Sequence, residues 1–136
     1  MENKRAHLAM IQAVVNRMSV NSFLLKGWSV VIVSALFALA AGSSQGALVA
    51  VALFPAVAFW ALDGYFLRQE RLFRSLFDRV RQLDDDKITF AMSTASENHE
   101  VAPWIRVAFS KTLITFHGAL VASILAVMII VFVKAH

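Results

Sequence analysis

Three long apolar runs constrain this chain more than anything else in it. They cover residues 23–41, 46–62 and 113–133. A helix needs roughly 17 to 25 mostly apolar residues, each adding 1.5 Å, to cross the hydrocarbon of a bilayer. Only the first run contains a formal charge, Lys26, whose long stem can carry its ammonium to the headgroups. Across all 136 residues, 59% are hydrophobic and 16% charged. Soluble domains average about 45–50% and about 25% respectively, so a single small water-soluble core is excluded. Cysteine is absent, which removes disulfide scaffolds, thiolate metal sites and thiol nucleophiles.

The first run could imitate a secretory signal, because Ala38, Leu39, Ala40 and Ala41 resemble a small-residue cleavage site. Against this, the leader, 26 residues when counted through Lys26, has helical periodicity, and the chain returns at once to an apolar run. Residues 42–46, Gly-Ser-Ser-Gln-Gly, read as the turn of a helical hairpin. Trp28, Trp60 and Trp104 fall near the ends of runs, where indole rings favour an interface. Lys4, Arg5, Arg17 and Lys26 precede or open the first run. Arg68, Arg71, Arg74, Arg79, Arg81, Lys87, Arg106 and Lys111 lie between the second and third. Only Lys134 lies beyond the third run. The positive-inside rule then predicts a multi-pass bacterial inner-membrane protein with a cytoplasmic N-terminus and a periplasmic C-terminus.

The expected fold class is an all-α membrane protein that forms a homo-oligomer. An N-terminal amphipathic helix (1–22) leads to a transmembrane hairpin (23–62) and a cytoplasmic helix and loop (63–112). A third transmembrane helix (113–133) and a short tail (134–136) follow. In the first segment Leu8, Ile11, Val14, Val15 and Met18 form one stripe, with Arg5, Gln12, Asn16 and Arg17 away from it. The stripe suits either the surface of the inner leaflet or packing on copies of itself, with Leu8, Ile11, Val15 and Met18 as the oligomer contacts.

The second run continues as an amphipathic helix over 64–83. Its apolar arc includes Leu72, Phe73, Leu76, Phe77 and Val80, and the opposite arc holds Arg68, Arg71, Arg74, Arg79 and Arg81. Glu70 and Asp78 can pair with Arg74 at i, i+4, worth only a few tenths of a kcal/mol each. Arginines are therefore left over for solvent, lipid phosphate or a polyanionic ligand, with Arg68, Arg71 and Arg74 as the candidate binding residues. Asp84, Asp85 and Asp86 stop the helix, and 88–101 reads as a loop. Glu97, His99 and Glu100 match no metal site, since no second donor cluster accompanies them. Pro103 suits the first turn of a last helix running through Trp104 into the third span.

In that span Thr112, Thr115, Ala119, Ala122, Ser123 and Ala126 share a face of small and hydroxyl residues. Such a face can pack helices closely or line a wetted pore, and Thr112, Thr115, Ala119 and Ser123 are the candidates for either role. His117 lies on the other side, about 9 Å along the helix from Lys111. It is an ionisable group at a depth that invites a function, or a neutral imidazole satisfied by a backbone carbonyl. Asp63, at the mouth of the second span, can pair with Lys26, Arg68 or Lys111, or belong to an acidic ring at a pore mouth.

No nucleophile beside a base, glycine-rich phosphate loop or clustered histidine is present, so neither an enzyme nor a cofactor is expected. Residues 1–30 (MENKRAHLAMIQAVVNRMSVNSFLLKGWSV) and 55–81 (PAVAFWALDGYFLRQERLFRSLFDRVR) resemble a group of short bacterial inner-membrane proteins. The layout is similar to that of the membrane effectors of the Hailong anti-phage defence system, in length, helix order and general character. The resemblance implies a tetrameric ion channel with the N-terminal helices around its cytoplasmic exit. It also implies a gate held shut by single-stranded DNA from a partner nucleotidyltransferase and opened during infection to depolarise the cell. A reading from another class makes the chain a non-conducting membrane adaptor that docks a soluble partner through its basic helix.

Overall fold

The computed structural model describes residues 1–43 and 46–136, and these residues are mostly helical, with no strand among them. The first helix, α1 (Glu2–Ser43), is one element of 42 residues, about 63 Å long. No proline interrupts it, and its single interior break in propensity, Gly27, is tolerated. The expected boundary between an N-terminal helix and the first span is therefore not marked by any break at residues 22–23. Residues 44 and 45 of the expected hairpin turn lie outside the described residues.

The chain returns through α2 (Ala47–Val51) and α3 (Leu53–Arg81). Their separation at Ala52 follows from Pro55, which has no N–H to offer the carbonyl of Val51 and crowds it with its ring. Ala52 keeps right-handed dihedrals, φ −62° and ψ −22°, so the two pieces run on nearly as one helix. α3 ends at Arg81, two residues before the expected limit, and Arg79 and Arg81 face its negative end.

Three-residue 3₁₀ turns at Asp85–Lys87 and Ala95–Glu97 punctuate the following loop. The first half of the loop is held against the start of α1. The Asp85 carboxylate accepts from the amino-terminal ammonium at 2.7 Å and from the Lys4 N–H at 3.0 Å, which holds it below the usual carboxylate range. Farther on, the His7 ring nitrogen Nε2 meets the Ala91 carbonyl at 2.9 Å.

Pro103 does not start one helix that runs on into the third span. The structure has a short α4 (Trp104–Ala108) and a separate α5 (Lys111–Ala135). Phe109 leaves helical geometry and Ser110 is extended (φ −64°, ψ 157°), in the backbone conformation of an N-terminal cap. α4 is instead docked on α3 where Gly64 provides room. A Cβ there would lie 3.1 Å from Trp104 Nε1 and 3.2 Å from Ala108 Cβ. Two indoles lock this contact, Trp60 Nε1 donating to the Ala108 carbonyl (2.7 Å) and Trp104 Nε1 to that of Ala61 (3.0 Å).

The helices α1, α3 with its short leader α2, and α5 are each long and apolar enough to cross a membrane. α1 and α3 run antiparallel, with one apolar cluster at each end of their contact. One end buries Val33, Val49, Ala52, Ala56 and Ile124; the other buries Ile11, Val15, Leu76 and Val80. The second cluster gives the N-terminal stripe a partner within its own chain. Ile11 and Val15 are buried against α3, with Leu8 and the loop residues Ile88 and Met92 packed at the edge of the same cluster. Met18 is half-buried. Leu76→Ala should cost about 3 kcal/mol by removing a fully buried side chain from this contact. Denaturant unfolding in detergent followed by circular dichroism measures it, whereas Leu24→Ala on the exposed flank of α1 should change little.

Candidate functional site

Between the two apolar clusters lies a buried polar junction to which all three long helices contribute. On α1, Ser22 and Lys26 are four residues apart and so share a face. α3 adds Asp63 and α5 adds His117. The carboxylate of Asp63 and the ring of His117 have 0% exposure, and the Lys26 side chain retains 21%. Lys26 Nζ sits 2.5 Å from Asp63 Oδ2 and donates to Ser22 Oγ at 2.9 Å. The Ser22 hydroxyl in turn donates to Asp63 Oδ1. His117 Nε2 lies 2.7 Å from Asp63 Oδ2, so its N–H donates to the same oxygen that Lys26 holds. Trp60 stacks on the imidazole, ring centres 5.9 Å apart and 8° from parallel, and Phe116 meets it edge-on at 5.0 Å. His117 Nδ1 is buried without a hydrogen-bond partner among the described residues.

Three donors converging on one carboxylate compensate much of the cost of taking that charge out of water. Of the three cations the sequence offered to Asp63, Lys26 is the one that reaches it. His117 finds this carboxylate rather than a backbone carbonyl, because its ring points into the bundle at the level where α3 turns Asp63 inward. Asp63 faces the packed interior of its own chain, not an open path. Ser22 was missed by sequence reasoning. Its spacing from Lys26, one helical turn before the only charge in an apolar run, was the available signal.

The arginine face of α3 is partly spent on the loop that follows it. Arg68 Nε donates to the Ala102 carbonyl at 3.1 Å. Arg74 donates twice to Glu70 Oε1, at 3.1 and 2.8 Å. Arg79 Nε reaches the buried Glu97 at 2.5 Å, and Ser75 donates to Glu100 at 2.7 Å. Arg71 makes no ion pair among the described residues. Arg71 and Arg74 share an open cavity of about 390 Å³ with Ser75, Asp78, Glu100, Val101 and Ala102. Arg68 adjoins it through its bond to Ala102. No group of metal-binding side chains occurs among the described residues.

On α5, Leu113, His117 and Ile124 face inward. The small-residue stripe therefore faces outward: Thr112, Thr115, Ala119 and Ser123 are exposed. With Val30, Phe116 and Leu120 they line a shallow groove of about 460 Å³. Thr115 and Ser123 satisfy their hydroxyls on the carbonyls of Lys111 (2.6 Å) and Ala119 (2.8 Å), four residues back.

Asp63→Asn should destabilise the bundle by about 3 kcal/mol, near the lower limit for breaking a buried pair because Lys26 keeps some access to water. Combining it with Lys26→Met should restore most of that loss, since the stranded ammonium is then gone. Unfolding titrations of the two single variants and the double variant measure the coupling.

Compared with models of protein families, with curated proteins and with solved structures, the chain matches none of them.

Proposed function

We propose that this chain is a multi-pass inner-membrane protein whose identical copies assemble into an ion-conducting pore, the effector of an anti-phage defence that depolarises the cell. The observation that carries this reading is the outward stripe of α5. Hydroxyl and small residues occupy an exposed face of a helix otherwise apolar enough to cross a bilayer, while the interior of the single chain is filled by side chains. Such a stripe suits a surface turned toward other copies or toward water. Three helices cannot enclose a water-filled path, so conduction requires several copies, four if the resemblance to Hailong effectors holds. The distribution of bases supports a cytoplasmic N-terminus and a periplasmic C-terminus.

The proposed gate is a single-stranded DNA ligand made by a nucleotidyltransferase, held on the arginine face of α3. Arg71, which makes no ion pair among the described residues, is its principal contact, joined by Arg74, which lines the same cavity and shares its guanidinium with Glu70; Arg68 is tied to the loop. A ligand that keeps a pore shut must bind the closed state more tightly, each tenfold in the equilibrium requiring about 1.4 kcal/mol of difference. Charge-assisted contacts from two arginines supply energies of that order.

The native chain has no cysteine, which makes accessibility experiments clean. Ser123→Cys should let a thiol-directed cation block current in planar bilayers, and Leu125→Cys on a different face should not. Absence of current from purified oligomers under every ligand would favour the adaptor reading. Arg71→Gln combined with Arg74→Gln should weaken oligonucleotide binding and lower its salt slope by about 1.4, the contribution of two phosphate contacts on a single strand. The same double variant should be toxic without infection while still inserting and assembling.

A further inference from the structure

The junction of α3 and α4 carries a second feature, independent of the arginine face and the α5 stripe. Val57, Trp60 and Ala61 of α3, Trp104, Ile105 and Ala108 of α4, and Phe109 just beyond it enclose a groove of about 210 Å³. Its walls are apolar because both indole N–H groups are already bonded to backbone carbonyls across the junction. Phe109 packs edge-on against Trp60 at 5.4 Å, closing one side. Yet the rim is open: Trp104 is 41%, Ile105 54% and Phe109 55% exposed. These are large side chains for a helix of five residues to leave uncovered.

The groove's position says what covers them. It lies where the apolar run of α3 ends, at Leu62, and just before α5 begins at Lys111, so both ends of the junction sit at the limit of an apolar helix. Arg106 follows Ile105 on the exposed part of α4, and Lys111 stands two residues after Phe109. Both are exposed, and neither has an ion pair among the described residues. An apolar slot whose lining residues Ile105 and Phe109 are one and two residues from two exposed cations, neither ion-paired among the described residues, and which sits at the end of an apolar helix, complements a molecule with a chain at one end and an anionic phosphate at the other.

We infer that α4 and the last turn of the apolar part of α3 form a binding site for an anionic glycerophospholipid. Its acyl chain occupies the groove between Trp60 and Trp104, and its phosphate is held by Arg106 and Lys111. The inference goes beyond the pore reading and rests only on the part of it that puts these helices in a bilayer.

The test uses the full chain with Trp28→Phe, so that the remaining indoles, Trp60 and Trp104, both line the groove. The protein is reconstituted in phosphatidylcholine vesicles containing a low fraction of lipid with brominated chains, which quench tryptophan on contact. Brominated phosphatidylglycerol should quench at about one-thirtieth the mole fraction that brominated phosphatidylcholine requires, the order of preference two cations give near an anionic headgroup. Arg106→Gln with Lys111→Gln should abolish that preference while helix content by circular dichroism stays the same. Millimolar inorganic phosphate should leave it unchanged. Equal quenching by the two lipids in the parent protein would reduce the groove to ordinary lipid contact and overturn the inference. So would loss of the preference on adding inorganic phosphate. Flotation of the vesicles separates the two levels of the argument: protein that does not float with them overturns the membrane reading itself, whereas protein that floats without headgroup preference overturns this site alone.

Discussion

The carboxylate of Asp63 is the point through which the three long helices of this chain are tied together. α1 reaches it with Ser22 and Lys26 and α5 with His117, while α3 supplies it. Apolar contact alone specifies such helices weakly. Where lipid tails are as apolar as the side chains, little is gained by exchanging one for the other, and packing detail and polar contacts carry the association. A buried carboxylate admits few alternatives, because sliding α1 by one residue would rotate its donors off the face that meets α3 and strand the charge. The two apolar clusters, around Val33 and Ala56 on one side and Ile11 and Leu76 on the other, sit in the register that this junction sets.

The same contact orients α5. With His117 turned inward onto Asp63 and clasped by Trp60 and Phe116, the opposite side of the helix must point away from the bundle. Thr112, Thr115, Ala119 and Ser123 are on that side, so a polar interaction in the interior determines which residues the chain presents to its surroundings. Gly64, the next residue after Asp63, then lets α4 approach α3 closely enough for Trp60 and Trp104 to exchange hydrogen bonds with opposite backbones.

α3 carries both the polar junction and, two turns later, the arginine cavity. A continuous helix transmits a displacement along its axis, so a ligand on Arg71 and Arg74 would act, in the proposed pore, on the element that Asp63 anchors to α1 and α5. The loop after α3 shapes that cavity from the other side. Glu97 and Glu100 are held against Arg79 and Ser75, which leaves acidic oxygens close to the arginine face. In the proposed pore a polyanion reaching Arg71 and Arg74 would meet this repulsion along with the attraction, and the balance of the two would set how tightly it binds.

Length and hydropathy by themselves determined the three long apolar helices, the placement of nearly all bases in two segments, and the amphipathic character of α3, because each is a property of local sequence and helical period. The N-terminal stripe was also legible as a stripe. That its partner is α3 of the same chain was not, since a helical face records that it is apolar and not what covers it. The break at Phe109 and Ser110 is not legible in the sequence because no proline or glycine marks it; it separates α5 from the short α4, which is docked on α3 at Gly64. Only the tertiary structure selected Lys26 and His117 for Asp63 out of the available partners, brought in Ser22, and left the α5 stripe outside. Those choices depend on groups 41 and 54 residues apart in sequence meeting in one buried place, and no periodicity along the chain encodes a meeting at that range.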